Sequence, residues 1–237
     1  MRSPKTMAVR FIIEGQEEKR EFSYPMRGAI LCGYTGRDQS AVRKHIEELK
    51  KEGVEPPPSV PMFYPKPHQG IFLAEEFHVQ GQETSGEVEY VLLMDGDKIY
   101  VGLGSDHTDR ELERMDILKS KQVCPSVLSK TLWDYEEIKD HWDSIEIRSW
   151  AVEEGERTLY QDSTLSTILP PEELLRLVQQ RVEGSLEGIA IFSGTPPMVT
   201  EQILFSERFE GELLDPILKR KITFGYSIHT LDWFKTI

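Results

Sequence analysis

The chain has 237 residues, 38% of them hydrophobic, with ten Phe, eight Tyr and four Trp, which is enough for one large domain and unlike a disordered chain. A formal net charge of −13 argues against nucleic acid as a partner, because phosphate binding needs clustered Lys and Arg. Residues 1–30 hold no apolar run of signal-peptide length, no stretch reaches membrane-spanning length, and Cys32 and Cys124 cannot build a disulfide framework, so the expectation is a cytoplasmic protein with no membrane partner.

Residues 8–13 and 19–23 read as a first hairpin and 28–33 as a short apolar strand. From Asp38 to Gly53, Val42, Ile46 and Leu49 recur at helical spacing, with Asp38 or Ser40 as cap and Gly53 as stop. Glu55-Pro56-Pro57-Pro58-Ser59 interrupts regular structure. It divides an N-terminal hairpin and helix, residues 1–55, from a main core, residues 56–237, although both can still form one continuous domain. Strands are expected near 61–64, 71–74, 87–94 and 97–103, the last two joined by the turn pair Asp95-Gly96. Helices are expected within 108–119, 133–142 and 171–182. Further strands are expected at 145–152, 157–161, 189–193 and 219–228, with a loop at Gly194-Thr195-Pro196-Pro197. Isolated helices among many strands, without βαβ alternation, predict an α+β fold dominated by antiparallel sheet.

Glu87 and Glu89 stand two residues apart in a run with strong strand character, Gly86-Glu87-Val88-Glu89-Tyr90-Val91-Leu92-Leu93-Met94, so both point to one face. With Asp95-Gly96 as a two-residue turn, Glu89 faces Gly102, Glu87 faces Gly104 and Ser85 faces Asp106, which puts Asp106 on the glutamates' face. A three-residue turn would send it to the other face. The glycines opposite the glutamates would leave room for an ion. Three converging oxygen ligands describe a site for Mg²⁺ or Mn²⁺, and for Ca²⁺ as well. Alternation alone favours the plainer reading, in which the glutamates line the wet face of an ordinary hairpin.

His45 and Glu48 are neighbours on one face of the early helix, where a carboxylate can orient an imidazole. The same spacing suits a surface charge pair beside Lys44 and Glu47. His107 should point away from Asp106 in an extended strand and reads as structural. His68, His78, His141 and His229 lack the paired spacing of a zinc site.

Several segments recur in the order known for one family. Glu87-Val88-Glu89 matches its Glu-x-Glu metal ligands, and Ser105-Asp106-His107-Thr108-Asp109-Arg110-Glu111 matches an Asn-Asp-x-Ser-x-Arg-Asp segment that carries the third. Gly36-Arg37 through His45-Ile46-Glu47-Glu48 and Phe63-Tyr64-Pro65-Lys66-Pro67 precede them. Lys121-Gln122-Val123-Cys124-Pro125, Tyr160-Gln161-Asp162-Ser163-Thr164 and Ser193-Gly194-Thr195-Pro196 follow. In these motifs the chain resembles a divergent branch of the fumarylacetoacetate hydrolase superfamily. It departs from the pattern at Ser105, which stands for Asn, at Glu113, where a substrate-contacting Gln is common, and in the stretched spacing between Arg37 and His45.

The resemblance implies a mixed, mainly antiparallel β-roll with a few flanking helices, in a homodimer. It implies metal ligands Glu87, Glu89 and Asp106, a water-activating pair His45 and Glu48 on a mobile lid, and Lys121 as a cation beside the carbonyl or enolate oxygen, with Lys119 close enough to compete. Arg110, Gln161, Gly194 and Thr195 would contact substrate. The implied reaction is metal-dependent hydrolysis of a carbon–carbon bond in a β-dicarbonyl or acylpyruvate-like oxo-acid through a metal-stabilised enolate. Isomerase, decarboxylase or lyase chemistry in the same fold is an alternative, as is a non-catalytic small-molecule binding protein.

Overall fold

The computed structural model describes residues 6–51, 56–73 and 75–233, without the side chains of His45, Glu48, Leu49 and Lys51. Strands β1 (Met7–Glu14) and β2 (Lys19–Met26) form the first hairpin, followed by β3 (Gly28–Gly33) and helix α1 (Gln39–Lys51). Next come β4 (Met62–Pro67), β5 (Ile71–Phe72), β6 (Glu76–Val79) and β7 (Thr84–Ser85). A long hairpin of β8 (Val88–Asp95) and β9 (Lys98–Asp106) leads through β10 (Thr108–Asp109) into helices α2 (Arg110–Glu113) and α3 (Ile117–Val123). The remainder is β11 (Ser126–Leu128), β12 (Thr131–Asp134), β13 (Glu146–Glu153), β14 (Glu156–Thr164), α4 (Pro171–Gln179), β15 (Ile189–Phe192), β16 (Arg208–Asp215) and β17 (Arg220–Thr230). The fold is α+β, as expected.

One sheet has ten strands, along the path β2-β1-β12-β9-β8-β15-β3-β4 with β11 and β5 alongside, and a second has five, in the order β14-β13-β16-β17-β6. Both are mixed. β1 runs parallel to β12, β15 to β3 and β17 to β6, while the long pairs are antiparallel.

The β8–β9 hairpin is buried on both sides, which is why β8 reads as a nearly unbroken apolar run. Val88, Tyr90 and Leu92 pack into a core shared with Ile147, Phe209, Leu213 and Tyr226 of the five-stranded sheet. Val91 and Leu93 point the other way, into a cluster with Phe11, Tyr24, Leu31 and Phe192. Strands from both ends of the ten-stranded path share this second cluster, so that sheet curls around it. Glu89 alternates with Val91 and Leu93, and therefore sits at one end of the curled interior.

Several expectations need correction. The central turn is Gly96-Asp97, with Asp95 paired to Lys98 and Gly96 at φ +59°, the conformation a type II′ turn requires at its first central position. Every pairing therefore moves by two residues: Glu89 lies opposite Gly104 instead of Gly102. Because side chains alternate with period two, that shift leaves the faces unchanged. Asp106 stays on the glutamates' side, and its N–H donates to the Glu87 carbonyl at 3.1 Å. The helix expected within 133–142 is instead the end of β12 followed by 3₁₀ turns over Tyr135–Glu137 and Lys139–Ser144. Its aromatic residues serve the core, where Trp133 and Trp142 are buried. The helix expected over 108–119 is split into α2 and α3, because Asp116 caps a new helix by accepting from Lys119 N–H at 3.1 Å. β6, β11, β12 and β16 were not expected from local pattern.

The room foreseen over the glycines is filled. A Cβ on Gly104 would lie 2.7 Å from Phe192, 2.8 Å from Val91 and 2.8 Å from the Val127 carbonyl. Gly104→Ala should accordingly destabilise the protein by about 1–3 kcal/mol through overpacking. Denaturant unfolding monitored by tryptophan fluorescence checks this, and an unchanged midpoint would contradict the packing described.

Candidate metal centre

Glu87, Glu89 and Asp106 converge at the end of the β8–β9 hairpin, with one oxygen from each within 4.8 Å of the others. These carboxylates do not form a wet sheet face: Glu89 is 2% exposed and Asp106 1%, and the partly buried Glu87 side chain is 16% exposed. Three buried like charges repel strongly, so their environment decides how they persist. Burial opposes ionisation of Glu87, yet Lys121 and Arg110 outweigh it and hold the carboxyl down at about 2. Glu89 is pushed the other way, well above the usual carboxylate range, by burial and then by the charges of Asp106 and Glu87. Among the described residues no side chain forms an ion pair with Glu89; its hydrogen-bond donor is the Gly194 N–H, at 2.7 Å.

Lys121, near the end of α3, reaches Asp106 at 2.6 Å and Glu87 at 3.1 Å. Burial disfavours its charge, but Asp106 and Glu87 more than compensate and raise its pKa well above the ordinary value. Lys119 points out to solvent and pairs with Asp116 at 2.8 Å, so of the two lysines only Lys121 meets the carboxylates. Arg110 donates from Nη2 to Glu87 at 3.0 Å, from Nη1 to Glu113 at 2.7 Å and from Nε to Ser85 at 2.8 Å.

A second layer fixes these groups. Ser126 donates to Asp106 at 3.2 Å and accepts from Lys66 at 2.9 Å. The Lys66 ammonium also donates to the carbonyls of Lys121 and Cys124 at the end of α3, where a cation opposes the helix dipole. Burial pushes its pKa down to about 8. Lys66 belongs to the Phe63-Tyr64-Pro65-Lys66-Pro67 segment, but its contact with Ser126 could not be read from sequence.

Gln161 holds the 193–196 loop. Its amide donates to Thr195 Oγ1 at 2.6 Å and to the Pro196 carbonyl at 2.7 Å, while its carbonyl accepts from Val88 N–H at 3.1 Å and Ser149 at 2.8 Å. Both donors and both acceptor positions are thus used. Thr195 in turn donates to the Val88 carbonyl at 2.9 Å. Gly194 has φ +88°, and a Cβ there would collide with Thr35 Oγ1, so glycine is required for its N–H to reach Glu89. Gln161, Gly194 and Thr195 lie beside the triad, and their side-chain and backbone hydrogen bonds run mainly to the protein itself. His107 is structural, as expected: fully buried, it meets the Tyr226 hydroxyl through Nδ1 at 3.0 Å, and burial, reinforced by Arg110 and Lys66, pushes its pKa down to about 3. The expected pair His45 and Glu48 lies on α1, with side chains outside the described residues.

The residues present fit a hard divalent cation. All three donors are carboxylate oxygens, and among the described residues no ion pair competes with a cation for Glu89. Because Glu89 holds its proton above the normal carboxylate range, occupancy by a cation must expel that proton. Mn²⁺ affinity should therefore rise as pH increases, by about tenfold per unit while Glu89 is protonated in the metal-free protein. Calorimetry in buffers of different ionisation enthalpy measures both the affinity and the proton released; flat affinity from pH 6 to 8 (roughly the range where an ordinary carboxylate is already ionised) with no proton release would contradict this account.

The model of a family described as "Protein of unknown function (DUF2848)" matches residues 32–226. No curated protein matches the chain. Among solved structures, the chain is similar to a putative fumarylacetoacetate hydrolase family protein from Yersinia pestis CO92, with 16% identity and a TM-score of 0.61 over 92% of this chain and 100% of that one. It is similar to 2-keto-3-deoxy-D-arabinonate dehydratase complexed with magnesium and 2,5-dioxopentanoate, with 16% identity and a TM-score of 0.60 over 90% and 76% of the two chains. A third likeness is to 2-hydroxyhepta-2,4-diene-1,7-dioate isomerase from Mycobacterium marinum, with 14% identity and a TM-score of 0.61 over 97% and 90%. At these identities the likeness is one of fold. No helix among the described residues is long and apolar enough to cross a membrane. The chain belongs to the DUF2848 family and has the fold of the fumarylacetoacetate hydrolase superfamily.

Proposed function

We propose that the protein is a divalent-metal-dependent enzyme acting on a small oxo-acid, and that its reaction is hydrolysis of a carbon–carbon bond in a β-dicarbonyl or acylpyruvate-like substrate. The observation that carries the reading is the buried triad, whose three carboxylates are only partly neutralised by Lys121 and Arg110. Glu87, Glu89 and Asp106 would hold Mg²⁺ or Mn²⁺, since an all-oxygen donor set selects a hard cation. When bound, such an ion supplies a Lewis acid for carbonyl oxygens. The similar dehydratase complexed with magnesium and a dioxo-acid supports this choice of ion and ligand class.

The chain's own groups divide the remaining work. Lys121 stays protonated and, lying against two of the carboxylates, would place a positive charge beside oxygen as negative charge develops there. Gly194 orients Glu89, and the loop it belongs to is locked by Gln161, so Glu89 is held in place before any substrate arrives. His45 and Glu48, one helical turn apart on α1, would activate water in the hydrolytic reading. Isomerisation or dehydration has less need of that pair, and the names of two similar structures favour them as the second reading.

Glu89→Gln and Asp106→Asn proteins should bind Mn²⁺ on the order of 100-fold more weakly than wild type. Metal-free Glu89→Gln should melt close to wild type, because a neutral amide replaces a carboxyl that already holds its proton in the metal-free protein. Turnover of an acylpyruvate by the Mn²⁺-loaded protein, followed as loss of enol absorbance, should vanish in both variants; full activity in either would sink the assignment. Product analysis of His45→Ala and Glu48→Ala proteins then separates the reactions: cleavage is lost if water activation is needed, whereas isomerised or dehydrated product persists if it is not.

A further inference from the structure

His78 and His229 lie far apart in sequence and show no zinc-type spacing, yet folding makes them neighbours. β6 stands last in the five-stranded sheet and pairs in parallel with β17. In that register His78 lies opposite His229, Phe77 opposite Ile228 and Glu76 opposite Ser227. Alternation along β6 turns Phe77 and Val79 inward and leaves Glu76 and His78 exposed. His229 is exposed as well, so two imidazoles and a carboxylate share the outer face. The two ring centroids are 5.3 Å apart with their planes inclined by 37°, and His229 Nε2 stands 3.6 Å from the Glu76 carboxylate.

Imidazole nitrogens with a carboxylate oxygen are a donor set for a borderline transition-metal dication, in contrast to the all-oxygen triad. Neighbouring strands lie about 4.8 Å apart, and two nitrogens held at about 2.0–2.1 Å by one tetrahedral ion are roughly 3.3 Å from each other. Exposed histidines reach that spacing by rotation about their side-chain bonds, without movement of the backbone. Protonated together, two adjacent rings would repel. A shared ion turns the same proximity into attraction.

We infer that His78 and His229, with Glu76 as a third donor, bind one dication of the Zn²⁺, Ni²⁺ and Cu²⁺ group, and that the ion clips the edge strand β6 to β17. Water completes the coordination of such an exposed site. The inference does not depend on what the triad binds. Its structural consequence lies on the other side of β6, where Phe77 packs against His107 and Tyr226 with ring centroids 5.0 Å away in each case. His107 directly follows Asp106. β6 has only four residues, so a bond across its outer face secures an edge that few backbone contacts hold.

Zn²⁺ calorimetry and Cu²⁺ electron paramagnetic resonance, both in saturating Mg²⁺ to compete for the triad, test the site. One equivalent of Cu²⁺ on wild type should show nitrogen splitting, which carboxylate ligands do not produce. His78→Gln and His229→Gln should each lose the two-nitrogen signature and bind Zn²⁺ at least about tenfold more weakly, because a chelate that loses one arm loses its effective concentration too. Glu76→Gln should weaken Zn²⁺ by a smaller factor. Asp106→Asn should keep the nitrogen signature, which separates this site from the triad. Zn²⁺ should also raise the melting temperature of wild type more than that of either histidine variant. The substituted edge positions are exposed, melting curves verify folding, and the wild-type spectrum needs no variant. An oxygen-only Cu²⁺ spectrum in wild type, or Zn²⁺ affinity within about twofold of wild type in both histidine variants, overturns the site. Zn²⁺ binding that vanishes in Asp106→Asn and persists in the histidine variants puts the ion in the triad and overturns it equally. An equal rise in melting temperature in all three proteins overturns the clip.

Discussion

Three carboxylates buried within 4.8 Å of each other are a standing electrostatic cost, and much of the surrounding structure is arranged to contain it. Repulsion among such charges in a low-dielectric interior is far stronger than on a wet surface. The protein neutralises Glu87 most fully, with Lys121 and Arg110 both in contact. Asp106 shares Lys121 and accepts from Ser126. Glu89 receives a backbone N–H in place of a cation. The compensation is unequal, and the least compensated carboxyl is the one pushed furthest toward its protonated form. A site of this kind is more stable as an apo protein with its charge removed than with it, the trade of stability for function seen at many active sites.

Holding the triad falls to residues that touch no ligand position. Lys66 ties the end of α3 to Ser126, and Ser126 ties that junction to Asp106. Gln161 spends both donors and both acceptor positions on β8, β13 and the 193–196 loop. Each of these polar groups is buried and satisfied, as a rigid polar network in an interior must be. Arg110 and Gln161, expected from family likeness to meet substrate, are engaged by protein groups, and Glu113 is the reason Arg110 has no free edge.

The central hairpin shows how far local pattern can be followed. A turn placed one residue early mispaired every position of β8 and β9 by two, yet Asp106 stayed beside the glutamates because alternation depends only on parity. A slip of one would have moved it to the opposite face. The 133–142 segment failed for a different reason: Tyr135, Ile138 and Trp142 are spaced for a helix, but they and Trp133 are all drawn into the core between the sheets, and tertiary packing overrode the periodicity. β16 alternates clearly in burial, yet Gly211 and its half-buried glutamates gave it little strand character on its own.

From sequence alone came the α+β class, the shared face of Glu87, Glu89 and Asp106, and their likeness to a metal-ligand set, because backbone periodicity and residue order are local properties. Only the tertiary structure decided that Glu89 and Asp106 are buried, that Lys121 and not Lys119 meets the triad, that Phe192 fills the space over Gly104, and that Arg110 is already occupied. These outcomes depend on elements distant along the chain, as when Gly194 reaches Glu89 across 105 positions. Charge compensation is set by which groups folding brings within a few ångströms of one another, and no local pattern encodes that distance.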